Sequence, residues 1–274
     1  MIKGKPPVPF QTIALGISFS PGLPSLISEM RRLRLIHNSL AVFVHVGKKT
    51  GDKSRELAEL LTFHGFNDFN SRIYWENGDE VTNILRICKH EVVDLLLIGA
   101  SDKLNFAMPA GKIARILAVK AKCSVLIYTT MPASQGYNSI IVSTNDERKA
   151  ELTLATAVYL AETEKAKELI INEDVLKNIE SDSNSGNLIE EPLINLAALT
   201  ETLNKISIQV SRVTLNGYSE LADYSFRNQV DLLVTNSSDH RLHIFDRITY
   251  AEGIETLIDK LPCNLLLVHS RIPN

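Results

Sequence analysis

The sequence predicts an α/β chain built twice over, each half a parallel sheet with helices on both faces. Three observations carry this. An acidic residue followed by a continuous apolar run and a small polar turn occurs at Val93 to Asp102 and again at Val230 to Asp239. That is how a strand buried on both faces reads before it opens into a loop. Each copy has an Asn-Gly pair upstream, Asn77-Gly78 and Asn216-Gly217, and a cysteine-led apolar run downstream, Cys123 to Tyr128 and Cys263 to Val268. In the first half, strand-like runs alternate five times with helical periodicities, and right-handed crossovers then place helices on both sides of a parallel sheet.

Taken in order, Thr12 to Ile17 reads as the first strand. Ser18 to Gly22 turns it, with Ser20 placed to cap a helix and Pro21 at its first position. Leu23, Leu26, Ile27, Met30 and Leu33 share a helical face, with Glu29, Arg31, Arg32 and Arg34 facing outward. Leu40 to Val46 is a second strand, Ser54 to Phe63 a second helix and Asp68 to Trp75 a third strand. Asp79 to His90 is a helix, the run through Gly99 a fourth strand, Pro109 to Lys122 a helix led by Ile113, Ile116 and Leu117, and Ser124 to Tyr128 the last strand.

Met131 to Gly136 is the boundary, giving domains 1–136 and 137–274. The pattern restarts with Ser139 to Val142, then a helix over Asp146 to Glu164 with Leu152, Ala155 and Tyr159 inward, and a strand over Glu168 to Asn172. Glu180 to Asn187 reads as a mobile loop. A helix over Pro192 to Ile206 and a strand over Ser207 to Leu215 complete the echo.

Composition narrows the function classes. No apolar stretch reaches the roughly 18 residues that a membrane span requires, and Met1 to Pro9 lacks the apolar core of a signal peptide, so a soluble cytoplasmic protein is expected. The three cysteines have no Cys-x-x-Cys spacing, which favours buried, reduced thiols. The net charge of -3 divides unevenly, +6 over residues 1–136 and -9 over the remainder. Opposite signs favour association of the halves and make the first the better host for an anion. No basic run with interleaved aromatics points to nucleic acid.

The order of elements, the stretch Ile17 to Pro21 after the first strand, Val44-His45-Val46 ending the second and Asp94 to Gly99 entering the fourth resemble the universal stress protein family in its tandem form. The resemblance implies two Rossmann-like, five-stranded parallel α/β sandwich domains. It further implies pairing through the last strands, as an internal pseudo-dimer and as a homodimer between chains.

Some members of that family bind ATP through an acidic residue after the first strand and a loop patterned Gly-x-x-Gly, nine residues, Gly-Ser or Gly-Thr. Glycines admit backbone amides to phosphate, and a helix N-terminus adds positive potential. Carried over, the candidate binding residues are Ser18, Val46, Gly99, Ser101, Asp102, Gly111 and Lys112, and the pattern is damaged. Asp102 stands where the second glycine belongs, Ser18 where the acid belongs, and Gly111 comes one residue early, followed by Lys112. In the second half Asn236, Asp239 and Asn145 replace the first glycine, the second and the acid, and Glu252-Gly253-Ile254 lies near the last site.

The expectation is a binding or regulatory protein with degenerate nucleotide sites, no catalytic residues and no cofactor. The alternatives are ATP or AMP held by the first domain only, or a domain pair regulating a transporter. Asp239, His240, His243 and Asp246 read as a polar loop rather than metal ligands. His45 reads as a satisfied core histidine.

Overall fold

The computed structural model describes residues 10–100, 111–129, 136–144, 146–183, 196–237, 254–260 and 263–269. The chain folds as two compact units, residues 8–134 and 135–272.

The first unit runs β1 (Thr12–Ile17), α1 (Leu23–His37), β2 (Leu40–Val46), α2 (Gly51–Phe63), β3 (Ser71–Glu76), α3 (Glu80–His90), β4 (Leu95–Gly99), α4 (Lys112–Lys120) and β5 (Ser124–Tyr128). Its strands lie in the order β3-β2-β1-β4-β5 and every pairing is parallel. The sheet is apolar throughout its middle: Ile13, Leu15, Val42, Phe43, Leu96 and Leu97 are fully buried. Local chemistry sets several ends. Thr50 caps α2 by accepting from the Lys53 amide, Asp79 caps α3 by accepting from that of Thr82, and Asn38 closes α1 in the left-handed conformation.

The second unit repeats the order with one helix more between its second and third strands: β6 (Ser139–Val142), α5 (Glu147–Glu164), β7 (Glu168–Asn172), α6 (Glu173–Ser183), α7 (Leu196–Lys205), β8 (Gln209–Val213), α8 (Gly217–Arg227), β9 (Leu232–Asn236), α9 (254–260) and β10 (Asn264–Val268). Its strands lie β8-β7-β6-β9-β10, again parallel. The Asn-Gly echo stands at equivalent corners, before α3 and at the start of α8, with Gly78 and Gly217 both at positive φ, 105° and 79°. No helix among the described residues is long and apolar enough to cross a membrane.

The repeated acid has a structural task. Asp94 Oδ2 accepts the amide of Thr12, the first residue of β1, at 2.9 Å. Asp231 Oδ2 accepts those of Asn138 and Ser139, at the start of β6, at 2.7 and 3.0 Å. Each carboxylate thus anchors the central strand of its unit to the strand that pairs with it. Asp94→Ala and Asp231→Ala are each expected to cost about 1–3 kcal/mol, the desolvation cost of an orphaned amide. Urea unfolding checks this, and losses under about 0.5 kcal/mol at both sites would remove the anchoring role.

Several expectations are corrected. Helix α1 starts at Leu23 with Gly22 as its cap and Pro24 in its first turn, not at Pro21 under Ser20, whose carbonyl instead accepts the Leu23 amide at 3.0 Å. Glu29 does not face water: it is 2 % exposed and held by Arg32 through two hydrogen bonds of 2.7 and 2.8 Å. On α4, Ile113 is exposed, and Ala114, Leu117 and Ala118 are buried.

On α5, Leu152 and Ala155 face outward, while Ala150, Leu154, Ala157 and Ala161 are buried where the helix packs on β6 and β9. Small side chains allow that close approach, and size misdirected the choice of face. Finally, α6 runs through Ser183, so the stretch from Glu180 is helical at its start; residues 184–187 lie outside the described residues.

Candidate functional site

In the first unit the chain order reverses between β1 and β4, and open parallel sheets bind ligands in the crevice beyond such a point. Ser18 follows β1, Val46 ends β2 and Gly99 ends β4, while Gly111 caps α4 and Lys112 is its first residue. These five candidates therefore sit on the carboxyl edge of the sheet. Ser101 and Asp102 lie outside the described residues.

The Gly111 amide donates to the Ala100 carbonyl at 2.7 Å, folding the start of α4 back against the end of β4. Among the described residues no side chain caps α4, and Lys112 is exposed, so that end presents positive potential to solvent. The Ser18 hydroxyl donates to that of Ser20 at 3.2 Å, and Val46 is buried. A Cβ at Gly99 would come within 3.1 Å of Leu26 Cδ1, so the close approach of α1 accounts for this glycine without any ligand.

Sequence reasoning missed the aromatic group beside this edge. Ile17, His45 and Trp75 are aligned across β1, β2 and β3 by the parallel register, and Phe19 folds over them from the turn. The His45 ring meets Phe19 and Trp75 edge-on, with centroids 4.9 and 5.1 Å away, while Phe19 and Trp75 stack at 6.1 Å. Lys49 lies 5.6 Å from the centre of the Trp75 ring and Lys53 lies 5.1 Å from that of Phe19. His45 is only half satisfied. Its Nδ1 donates to the Ile17 carbonyl at 3.1 Å, whereas its buried Nε2 has no partner among the described residues. Its detectable signal was three aromatic rings, each within two residues of a strand end.

The equivalent edge of the second unit is filled. Asn236, which takes the place of Gly99, is fully buried and accepts a short hydrogen bond from the Thr144 hydroxyl, spanning the ends of β9 and β6. Lys149 reaches in from α5, 5 % exposed, and its Nζ donates to the Ser237 carbonyl at 2.9 Å, with the Asp146 carboxylate 4.0 Å away. Behind them the Asn172 amide donates to Ser143 Oγ at 3.1 Å and to the Leu215 carbonyl at 3.2 Å. Asn178 donates to the Thr144 carbonyl at 3.0 Å. Seven polar side chains thus gather at the switch point, bonded to one another and to the Ser237, Leu215 and Thr144 carbonyls.

Asn145, Asp239, His240, His243, Asp246, Glu252 and Gly253 lie outside the described residues, and Ile254 is buried. Among the described residues no group of His, Cys, Asp and Glu side chains could hold a metal ion. All three cysteines are buried and none forms a disulfide, and burial pushes the Cys263 thiol well up, away from the reactive thiolate.

No protein-family model matches the chain, and no curated protein does. Solved structures do. The chain is similar over 95 % of its length to 92 % of a functionally unknown protein from Pseudomonas aeruginosa PAO1, at 15 % identity and a TM-score of 0.61. It is similar over 95 % of its length to 93 % of a putative universal stress protein from Pseudomonas aeruginosa UCBPP-PA14, with the same identity and score. It is also similar over 94 % to 96 % of a universal stress protein from Archaeoglobus fulgidus DSM 4304, at 11 % identity and a TM-score of 0.63. The chain therefore has the α/β fold of these structures.

Proposed function

We propose that this chain is a tandem universal-stress-type protein that acts as a binding or regulatory module, not as a catalyst, and that its second unit has lost the nucleotide site. The observation that carries the loss is the closed switch point. The Thr144–Asn236 hydrogen bond and the buried Lys149 ammonium occupy the ends of β6 and β9, the place where a sheet of this order would take a ligand. Opening it for a phosphate would strand the Ser237 carbonyl and separate Lys149 from Asp146.

A second reading, ATP or AMP held by the first unit alone, is favoured by one observation: among the described residues no side chain caps α4, and Lys112 at its start is exposed. Denaturing mass spectrometry of the purified protein, followed by calorimetric titration with ATP and AMP, tests both. At most one nucleotide per chain is expected; two would overturn the closure of the second unit. If one is found, Lys112→Glu places it, because loss of binding locates it at α4. Gly99→Asp is a poorer probe, since its new side chain would press on Leu26 and perturb the fold itself.

A further inference from the structure

The first unit carries two lysines placed over aromatic rings beside the start of α2. Lys49 and Lys53 flank the start of α2, each held over an aromatic ring, and among the described residues neither ammonium is paired with a carboxylate. Lys48 adds a third positive charge to the same loop. The acid nearest to it in sequence, Asp52, is engaged by Arg55 at 2.9 Å. Glu76, at the neighbouring end of β3, is engaged by Arg86 at 2.8 Å.

Against this loop stands an unused buried group. His45 is 5 % exposed, and because the Ile17 carbonyl can only accept, its Nδ1 carries a hydrogen, while its buried Nε2 has no partner among the described residues. That nitrogen faces the first residue of the loop: a Cβ at Gly47 would lie 3.1 Å from it.

We propose that the loop joining β2 to α2 is an anion site for a phosphate-bearing small molecule, distinct from the crevice at β4 and α4. The start of a 13-residue helix, whose Lys53 amide is taken by Thr50, leaves the amides of Gly51 and Asp52 and its positive potential, and Lys49 and Lys53 supply two ammoniums already ordered over Trp75 and Phe19. A phosphomonoester carries close to two negative charges near neutral pH and matches that pair. The His45 imidazole lies beside the loop, its Nε2 buried and without a partner among the described residues. The charged groups on the loop and the first turn of α2 are Lys48, Lys49, Asp52 and Lys53, with Glu76 at the end of β3 held by Arg86, so the surplus there is positive.

Trp75 is the sole tryptophan of the chain and lies within this group, so its fluorescence reports the site directly. The test is a titration of the full chain with inorganic phosphate and with phenyl phosphate at constant ionic strength, followed by Trp75 emission. A saturable change is expected, weakened about tenfold or more in Lys49→Gln/Lys53→Gln and unaltered in Lys112→Gln. Circular dichroism of both variants checks that they are folded. No saturation up to about 10 mM of either probe overturns the proposal. So does a response that survives loss of the two lysines, or one that Lys112→Gln removes, which would place the anion at α4.

Discussion

Lys149→Ala is expected to destabilise the second unit by about 2–4 kcal/mol, the range for removing one partner of a buried charged hydrogen bond. The ammonium is the link between α5 and the end of β9. Its removal leaves the Ser237 carbonyl without the donor it has at 2.9 Å and takes a positive charge from beside the Asp146 carboxylate, which is only 11 % exposed. Lys149→Met separates the causes, because it keeps much of the packed stem and loses the charge alone. If the ammonium is what matters, Met and Ala fall by nearly the same amount. Hydrogen exchange along β6, α5 and β9 is the measurement suited to this unit, which contains no tryptophan. Protection within about 0.5 kcal/mol of the parent chain in both variants would mean that the closure is incidental.

Acidification from pH 6.5 to pH 4 is expected to take about 3 kcal/mol from the first unit through His37 alone. Burial holds this imidazole neutral, with the nearby Arg32 guanidinium adding to the effect, and its pKa is lowered from 6.5 to about 4. The unfolded chain therefore binds a proton throughout that window and the folded chain does not. The contribution is complete above pH 6.5 and is lost as pH falls toward the folded value.

His37 ends α1, 4 % exposed, with its ring edge-on to Phe10 at 5.2 Å, so a charged form would sit among apolar and cationic neighbours. Urea unfolding followed by Trp75 emission reads this unit specifically. His37→Gln should flatten the slope between pH 6.5 and 5, where few carboxylates titrate. An unchanged slope in that variant would mean that another group drives the acid response.

The two cases differ in how far the sequence foretold them. His37 lies at the end of an apolar stripe read correctly from Leu23 to Leu33, and its burial follows from that stripe. Lys149 belongs to a helix whose inward face was misjudged, since Leu152 and Ala155 looked apolar enough to be core and alanines at 150, 157 and 161 proved to be the packing surface. Glu29 failed in the same way: charge alone argued for solvent, and only the two hydrogen bonds from Arg32 make its burial tolerable.

What the amino-acid sequence determined by itself was the duplicated motif and the alternation of strands and helices, because hydrophobic period, caps and turns are properties of neighbours in the chain. The repeated aspartates were visible as a motif, but their task at Thr12 and Ser139 was not. Only the tertiary structure decided the contents of the two strand-end crevices. Thr144 and Asn236 are 92 residues apart, Lys149 and Ser237 are 88 apart, and the Phe19, His45 and Trp75 rings come from three different strand ends. Parallel pairing places the ends of all these strands on one edge, and contacts made there depend on crossover and register, which no local pattern encodes.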